Sequence, residues 1–353
     1  MNLQHQDELY MRRCLQLARK AEGNTFPNPM VGCVIVHDER IIGEGYHRKA
    51  GEPHAEVNAI NSVKDQGLLK ESTLYVNLEP CAHYGKTPPC SLLIRQKKIP
   101  RVVIGCKDTF SKVAGKGITM LRSTGIEVKT DVLKDESREL NRRFFVFHEQ
   151  KRPYILLKWA QTRDGYMDID RTVLEEARPT WITDDWARRM VHKWRSMEPS
   201  IMVGSITALK DNPSLTVRDW SGKNPLRVVL DRFGKLPHTL TLFNGETPTL
   251  VFSEEGTTAS ENVETIFLPP QANPLTSVLD ELYRRDIQSV MVEGGSILLK
   301  TFLEAGLWDE ARVFTGEKWF VSGIEAPVIK QKPLSWEKFG NSRLFIYRNK
   351  SLS

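Results

Sequence analysis

Apolar positions along the first half of the chain switch repeatedly between helical and strand periodicity. Met11, Cys14, Leu15 and Ala18 recur at helical spacing, and Val31 to Val36 is a short β-rich run. Arg40 to Gly45 predicts a second strand, and Val57, Ile60 and Val63 a helix opening after His54. Thr73 to Leu78 reads as a strand that delivers the chain to Glu79-Pro80-Cys81, and Cys90 opens a helix through Leu93 and Ile94. A buried strand at Val102 to Gly105 and a helix near Leu121 continue the alternation, which predicts a three-layer α/β domain. The polar stretch His148-Glu149-Gln150-Lys151-Arg152-Pro153 interrupts this pattern, so we expect one domain over residues 1–150 and another over 151–353.

Beyond that seam the alternation restarts. Tyr154 to Trp159 predicts a strand, Asp184 to Met197 a helix, and Ile201 to Val203, Leu226 to Leu230 and Leu250 to Phe252 further strands. Val290 to Glu293 runs into Gly294-Gly295-Ser296 and then a helix, an arrangement that frees backbone amides for phosphate or simply makes a tight turn. The chain contains no G-x-G-x-x-G, so a dinucleotide bound here lies outside the usual Rossmann fingerprint.

Composition narrows the class of function. At 353 residues, each half is long enough to bury its own core. The net charge of +6 is spread along the chain, with no basic block carrying interleaved aromatics, which argues against a nucleic-acid partner and suits small phosphorylated ligands. Five cysteines, an odd number, imply a reducing compartment, and the charged first thirty residues do not resemble a signal peptide. With no apolar run long enough for a membrane span, the expected setting is the cytoplasm, without a membrane partner.

The most specific chemistry lies in His54-Ala55-Glu56, followed by Cys81 and Cys90. One imidazole and two thiolates are three ligands for a zinc whose fourth position stays open, and such a metal brings a bound water's pKa to roughly 7. H-x-E with a later P-C…C is the signature of zinc deaminases, in which the glutamate moves protons without binding metal. We therefore read His54, Cys81 and Cys90 as metal ligands and Glu56 as the catalytic proton carrier. Because residues i and i+2 face apart on a helix, His54 and Glu56 must occupy an irregular first turn. The competing reading, a closed structural zinc with His83 as fourth ligand, conflicts with the long Cys81 to Cys90 spacing.

Taken together, the motifs resemble the bifunctional riboflavin-biosynthesis deaminase/reductase family over nearly the whole chain. The first half carries Asn28-Pro29-Met30-Val31-Gly32, Gly43-Glu44-Gly45-Tyr46-His47, Gly51-Glu52-Pro53-His54-Ala55-Glu56 and Glu79-Pro80-Cys81-Ala82-His83-Tyr84-Gly85-Lys86-Thr87-Pro88-Pro89-Cys90. The second carries Lys158-Trp159-Ala160, Asp164-Gly165, Trp181-Ile182-Thr183, Asp211-Asn212-Pro213-Ser214-Leu215-Thr216-Val217-Arg218 and Glu293-Gly294-Gly295. The resemblance implies a cytidine-deaminase-like domain followed by one similar to dihydrofolate reductase. It also implies zinc and NADPH as cofactors and a phosphorylated pyrimidine as substrate. Pro179 stands where the family often has a serine, and Tyr166 to Pro179 is unusually charged.

Carried over by position, Asn28, His47, His83 and Lys86 are expected to hold the deaminase substrate, the latter three near its ribose phosphate. Arg195 and Arg218 are expected on the reductase substrate's phosphate, with Leu215 beside them and Glu293 on the pyrimidine's amino groups. Ala160, Trp181, Thr207, Asp211, Gly295 and Ser296 are expected to line the cofactor, and Arg232 suits either a 2′-phosphate or a solvated turn. Lys158, Asp211 and Glu293 are all open as the acid of the reduction. A nucleic-acid base deaminase with an RNA-binding or scaffolding C-terminal half is the rival reading. The sequence leaves the oligomeric state open, a homo-oligomer included.

Overall fold

The computed structural model describes residues 3–84, 88–110, 113–170, 180–256 and 261–349. It separates into two compact units, Met1–Lys151 and Arg152–Ser353. The seam residues His148, Glu149 and Gln150 are not linker but the end of the helix Arg142–Gln150, whose Phe144, Phe145 and Phe147 are buried. A polar C-terminal turn hid a helix whose apolar face lies further upstream.

In the first unit, five strands lie in the order Arg40–Tyr46, Gly32–His37, Thr73–Leu78, Arg101–Cys106, Glu127–Lys129, with the last three parallel. Strand periodicity sends alternate side chains to opposite faces, and two separate cores follow from it. Cys33, Ile35, Val76, Val102 and Ile104 meet Ala59, Ile60 and Leu121 on one face. Val34, Val36, Tyr75 and Val103 meet Tyr10, Met11, Cys14 and Leu17 of the helix Leu3–Arg19 on the other. The helix Ala55–Ser62 lies so close to its sheet that a Cβ on Gly45 would come within 2.3 Å of the Ala59 nitrogen. Glycine there sets the depth at which His54 and Glu56 are carried.

Asp7 is fully buried on the second face and ties three strands to the first helix. It accepts Arg101 Nη2 at 2.9 Å, Lys129 Nζ at 2.8 Å and the Tyr75 hydroxyl at 2.9 Å. Burial works to raise its pKa, but these partners outweigh it and hold the carboxyl below the ordinary aspartate value. Asp7 stays ionised in the fold at pH values where the unfolded chain's aspartate protonates. Its contribution is therefore complete above the ordinary aspartate range and is lost as pH falls from there through the lower folded value. Asp7→Asn is expected to cost about 3–5 kcal/mol at neutral pH, as for a buried pair that loses one partner. Denaturant melts of both proteins at pH 7 and pH 3 check this, and the difference should shrink at the lower pH.

The second unit is built on a nine-stranded sheet. Its order is Val263–Phe267, Thr249–Ser253, Leu226–Leu230, Ser200–Gly204, Ser289–Glu293, Tyr154–Gln161, Glu310–Thr315, Ser342–Arg348, Ser335–Phe339. The first seven are parallel and the last two antiparallel to their neighbours. Their near-continuous apolar runs reflect burial on both faces. Among the described residues, no helix in either unit is long and apolar enough to cross a membrane.

Candidate active sites

His54 is the residue before the helix Ala55–Ser62 and has extended backbone angles, while Glu56 lies in that helix's first turn. The break in helical geometry lets both side chains serve one site. Cys81 follows the strand Thr73–Leu78, and Cys90 is the first residue of the helix Cys90–Gln96. The ligand atoms of His54, Cys81 and Cys90 lie within 4.8 Å of one another. His54 Nδ1 faces both sulfurs, at 3.6 Å from Cys81 and 3.4 Å from Cys90, and the Cys90 N–H donates to Cys81 Sγ at 3.3 Å. The hydrogen bond from Cys90, and then His54, act against burial to bring the Cys81 thiol down to about 4. A site that favours a thiolate beside an imidazole fits a zinc ion. Among the described residues, His83 is not part of this cluster and its buried Nδ1 has no hydrogen-bond partner, while its ring stands edge-on to Phe110 at 6.4 Å.

Glu56 is 3 % exposed, and burial raises its pKa above the usual glutamate value. Next to it, the His47 and His54 rings meet edge to face at 5.5 Å. His47 Nδ1 sits 3.2 Å from the Pro53 carbonyl oxygen, which assigns its proton there and leaves Nε2 to accept from Asn28 Nδ2 at 3.0 Å. Burial lowers His47's pKa, consistent with this neutral tautomer. Asn28, His47, His54 and Glu56 thus form one neighbourhood. Lys86 lies outside the described residues.

Two supporting groups escaped sequence reasoning. The buried Glu79 carboxylate accepts backbone N–H groups from Asp108, Gly115, Gly117 and Ile118 at 3.0–3.3 Å, anchoring the chain two residues before Cys81. Asn141 brackets Met30, accepting its N–H at 2.8 Å and donating to its carbonyl at 2.9 Å. Their partners lie far along the chain, so no local pattern marks them.

In the second unit a cavity of about 690 Å³ opens at the carboxyl ends of the strands Ser200–Gly204, Leu226–Leu230 and Ser289–Glu293. Thr207, Asp211, Arg232, Gly295 and Ser296 all line it. Gly294 and Gly295 have φ of 98° and 78°, which only glycine adopts readily. The helix Ser296–Glu304 begins there without a side-chain cap, leaving its first N–H groups for a ligand's phosphates. This arrangement fits a dinucleotide. Arg232 is in the cavity wall, pairs with Glu254 and donates to the Pro270 carbonyl at 3.3 Å. Ala160 and Trp181 do not line the cavity. Ala160 is on the strand Tyr154–Gln161, in register with Phe314, and Trp181 is half exposed with Arg188 at 5.2 Å from its ring centre.

Beside the glycine pair, Arg195 donates Nε and Nη2 to Glu293 at 2.8 and 2.9 Å and Nη1 to the Thr216 carbonyl at 3.1 Å. Lys158 Nζ is 3.7 Å from the same carboxylate. Burial opposes ionisation of Glu293, but Arg195 and Lys158 prevail and bring it down to about 2. Burial also lowers the Lys158 pKa, against the pull of Glu293. Arg218 donates through its side chain to the Ser214 hydroxyl and through its backbone to His192 Nδ1 at 3.0 Å. Burial, then Arg195 and Arg218, push His192 down to about 4, so it stays neutral. Leu215, which follows Ser214, is 2 % exposed with φ of 53°.

Residues 4–106 match the family model for the cytidine and deoxycytidylate deaminase zinc-binding region, and residues 153–341 match the model for the RibD C-terminal domain. The riboflavin biosynthesis protein RibD of Aquifex aeolicus is 40 % identical over 325 residues, covering 90 % of this chain and 89 % of its own. The chain belongs to the RibD family. The Escherichia coli member is 38 % identical, covering 89 % of this chain and 88 % of its own. A crystal structure of a Thermotoga maritima diaminohydroxyphosphoribosylaminopyrimidine deaminase/5-amino-6-(5-phosphoribosylamino)uracil reductase superposes with a TM-score of 0.88. That protein is 39 % identical, and the match covers 98 % of this chain and 99 % of that one. As a RibD protein, the chain is a bifunctional enzyme of riboflavin biosynthesis, with a zinc-dependent deaminase and an NADPH-dependent reductase. Its C-terminal half is a reductase domain, which removes the RNA-binding and scaffold readings of residues 151–353.

Proposed function

We propose that the first unit deaminates 2,5-diamino-6-ribosylamino-4(3H)-pyrimidinone 5′-phosphate and that the second reduces the product's ribosyl group to a ribityl chain. The observation that carries the first step is the convergence of His54, Cys81 and Cys90 beside a buried Glu56. Zinc held by those three residues supplies Lewis acidity that brings a water to a pKa near 7. Glu56 takes a proton from the attacking water and delivers it to the departing amino group, so that C2 gains an oxygen and ammonia leaves. Asn28 and the neutral His47 hold the pyrimidine against that carbon, and His83 and Lys86 serve its ribose phosphate.

For the second step, Thr207, Asp211, Arg232, Gly295 and Ser296 hold NADPH, which supplies the hydride to C1′ of the ribose. Ala160 and Trp181, which do not line the cavity, are left out of this set. Opening the ribosyl ring requires a proton on the ring oxygen, and Lys158 is the group to give it. Glu293 is an anion at neutral pH and cannot donate, while Asp211 is in the cofactor cavity. Glu293, fixed by Arg195, receives the pyrimidine's amino groups and holds Lys158 in place. Arg218 takes the substrate's phosphate, with Leu215 setting the loop and Arg195's remaining N–H groups sharing the anion.

Zinc-loaded protein without NADPH should accumulate the deaminated ribosylamino compound, and adding NADPH should carry it to the ribityl compound. Chromatography that detects reduction before any deamination would overturn the order. Arg218 is partly exposed, so its phosphate contact is worth about 1.4 kcal/mol, or ten-fold in binding. Arg218→Ala should raise the reductase KM for substrate by roughly that factor while NADPH affinity stays put. A change confined to NADPH would reverse the two sub-sites. The free cysteines support a cytoplasmic setting, and the reading needs neither a nucleic-acid nor a membrane partner. The exposed edge strand Ser335–Phe339 supports self-association, which sedimentation velocity tests.

A further inference from the structure

We propose that the deaminase unit carries a second small-molecule site, for a ligand bearing a diphosphate or two separate anionic groups, in the crevice where the strand Arg101–Cys106 ends. A cavity of about 1210 Å³ opens there, and Lys107, Lys116, Arg122, Lys134 and Arg138 all line it, against the two carboxylates Asp108 and Asp131. None of His54, Glu56, Cys81, Cys90, Asn28 or His47 does.

The fold explains why a crevice exists at this point. The helix Lys116–Ser123, which follows the strand, packs Ile118 and Leu121 into the core on one face of the sheet. After Glu127–Lys129 the chain crosses to the other face, where Val132 and Leu133 join Tyr10 and Met11, and the helix Lys134–Leu140 begins. Connections that leave neighbouring parallel strands for opposite faces open a crevice at the strands' carboxyl ends, which is where α/β folds bind ligands.

Cations occupy both walls. Arg122 and Lys116 come from one helix and Lys134 and Arg138, one turn apart, from the other. Arg138 is fixed by a two-pronged pair with Glu149 at 2.8 Å and by stacking over Phe145 at 4.2 Å. Lys134 meets Asp131 at 3.5 Å with both side chains more than half exposed, a contact weak enough to be exchanged for a ligand. Lys107 has no hydrogen-bond or ion-pair partner among the described residues. Gathering like charges around one concave surface disfavours the empty site, and an anion reaching both walls relieves the repulsion. A single phosphate on one wall does so less well, hence the requirement for two anionic groups. Ile118 and Met120 add an apolar floor.

The test is calorimetric titration of the zinc-loaded full chain with inorganic pyrophosphate under saturating NADPH, which occupies the reductase cavity. We expect a saturable component that the double variant Lys107→Gln/Lys134→Gln weakens at least ten-fold, with orthophosphate binding at least ten-fold more weakly than pyrophosphate. The variant's deaminase kcat and KM should match the parent's. Absence of a saturable component, or one unchanged in the double variant, would overturn the site. Equal affinity for the two anions would overturn the two-wall ligand. A raised deaminase KM would assign the crevice to the substrate's own phosphate and overturn its independence.

Discussion

Glu56→Gln should keep its zinc and lose deamination by a factor of roughly 10²–10⁴, the range for removing a positioned proton carrier. The substitution preserves shape and replaces a buried, protonatable carboxyl with a neutral amide, so folding should not suffer. The metal is expected to stay because its three ligand atoms come from His54, Cys81 and Cys90 alone. Cys90→Ala is the contrasting variant and should lose the zinc itself. Metal analysis beside single-turnover deamination distinguishes the roles: zinc missing from Glu56→Gln, or activity retained by it, would sink the assignment. Reduction of the pre-formed deaminated compound serves as the internal control and should be unaffected.

Lys158→Gln should remove reduction by a comparable factor while NADPH binds within about two-fold of normal, since Lys158 is not among the residues lining the cofactor cavity. Burial places the Lys158 pKa below the ordinary lysine value, although Glu293 pulls it back. A lysine that acts as an acid works in its protonated form, so the parent's reductase rate should fall as pH rises through that lowered pKa. The alkaline limb should be absent from the residual activity of Lys158→Gln. A retained limb, or an NADPH affinity that collapses while kcat survives, would move the proton donor elsewhere. Deamination by the same variant should be normal.

Much of the deaminase site was legible because its ligands sit at breaks in local periodicity. The extended His54 before a helix, Glu56 in its first turn, and cysteines at a strand exit and a helix start are all local features. Glu79 illustrates the opposite case. Its four amide donors lie 29 to 39 residues away, and no spacing rule links a carboxylate to backbone groups of a later loop. At the seam, His148, Glu149 and Gln150 have polar character but complete a helix anchored by Phe144, Phe145 and Phe147, which the polar stretch alone did not show. In the second unit, the glycine pair stood out in sequence and lines the cavity, whereas the Arg195–Glu293–Lys158 cluster did not announce itself.

By itself, the sequence determined the alternation of elements, the division into two chemistries and the His54, Cys81 and Cys90 set that the fold brings together, because each depends on residue type at short range. Only the tertiary structure decided which charges neutralise one another. The family resemblance puts Arg195 on a phosphate, but a buried guanidinium must first satisfy its donors nearby, and Glu293 lies 98 residues further on. The protonation states of Lys158 and Glu293 separate for the same reason. Burial and Coulombic neighbours set their protonation, and both are properties of the packed fold.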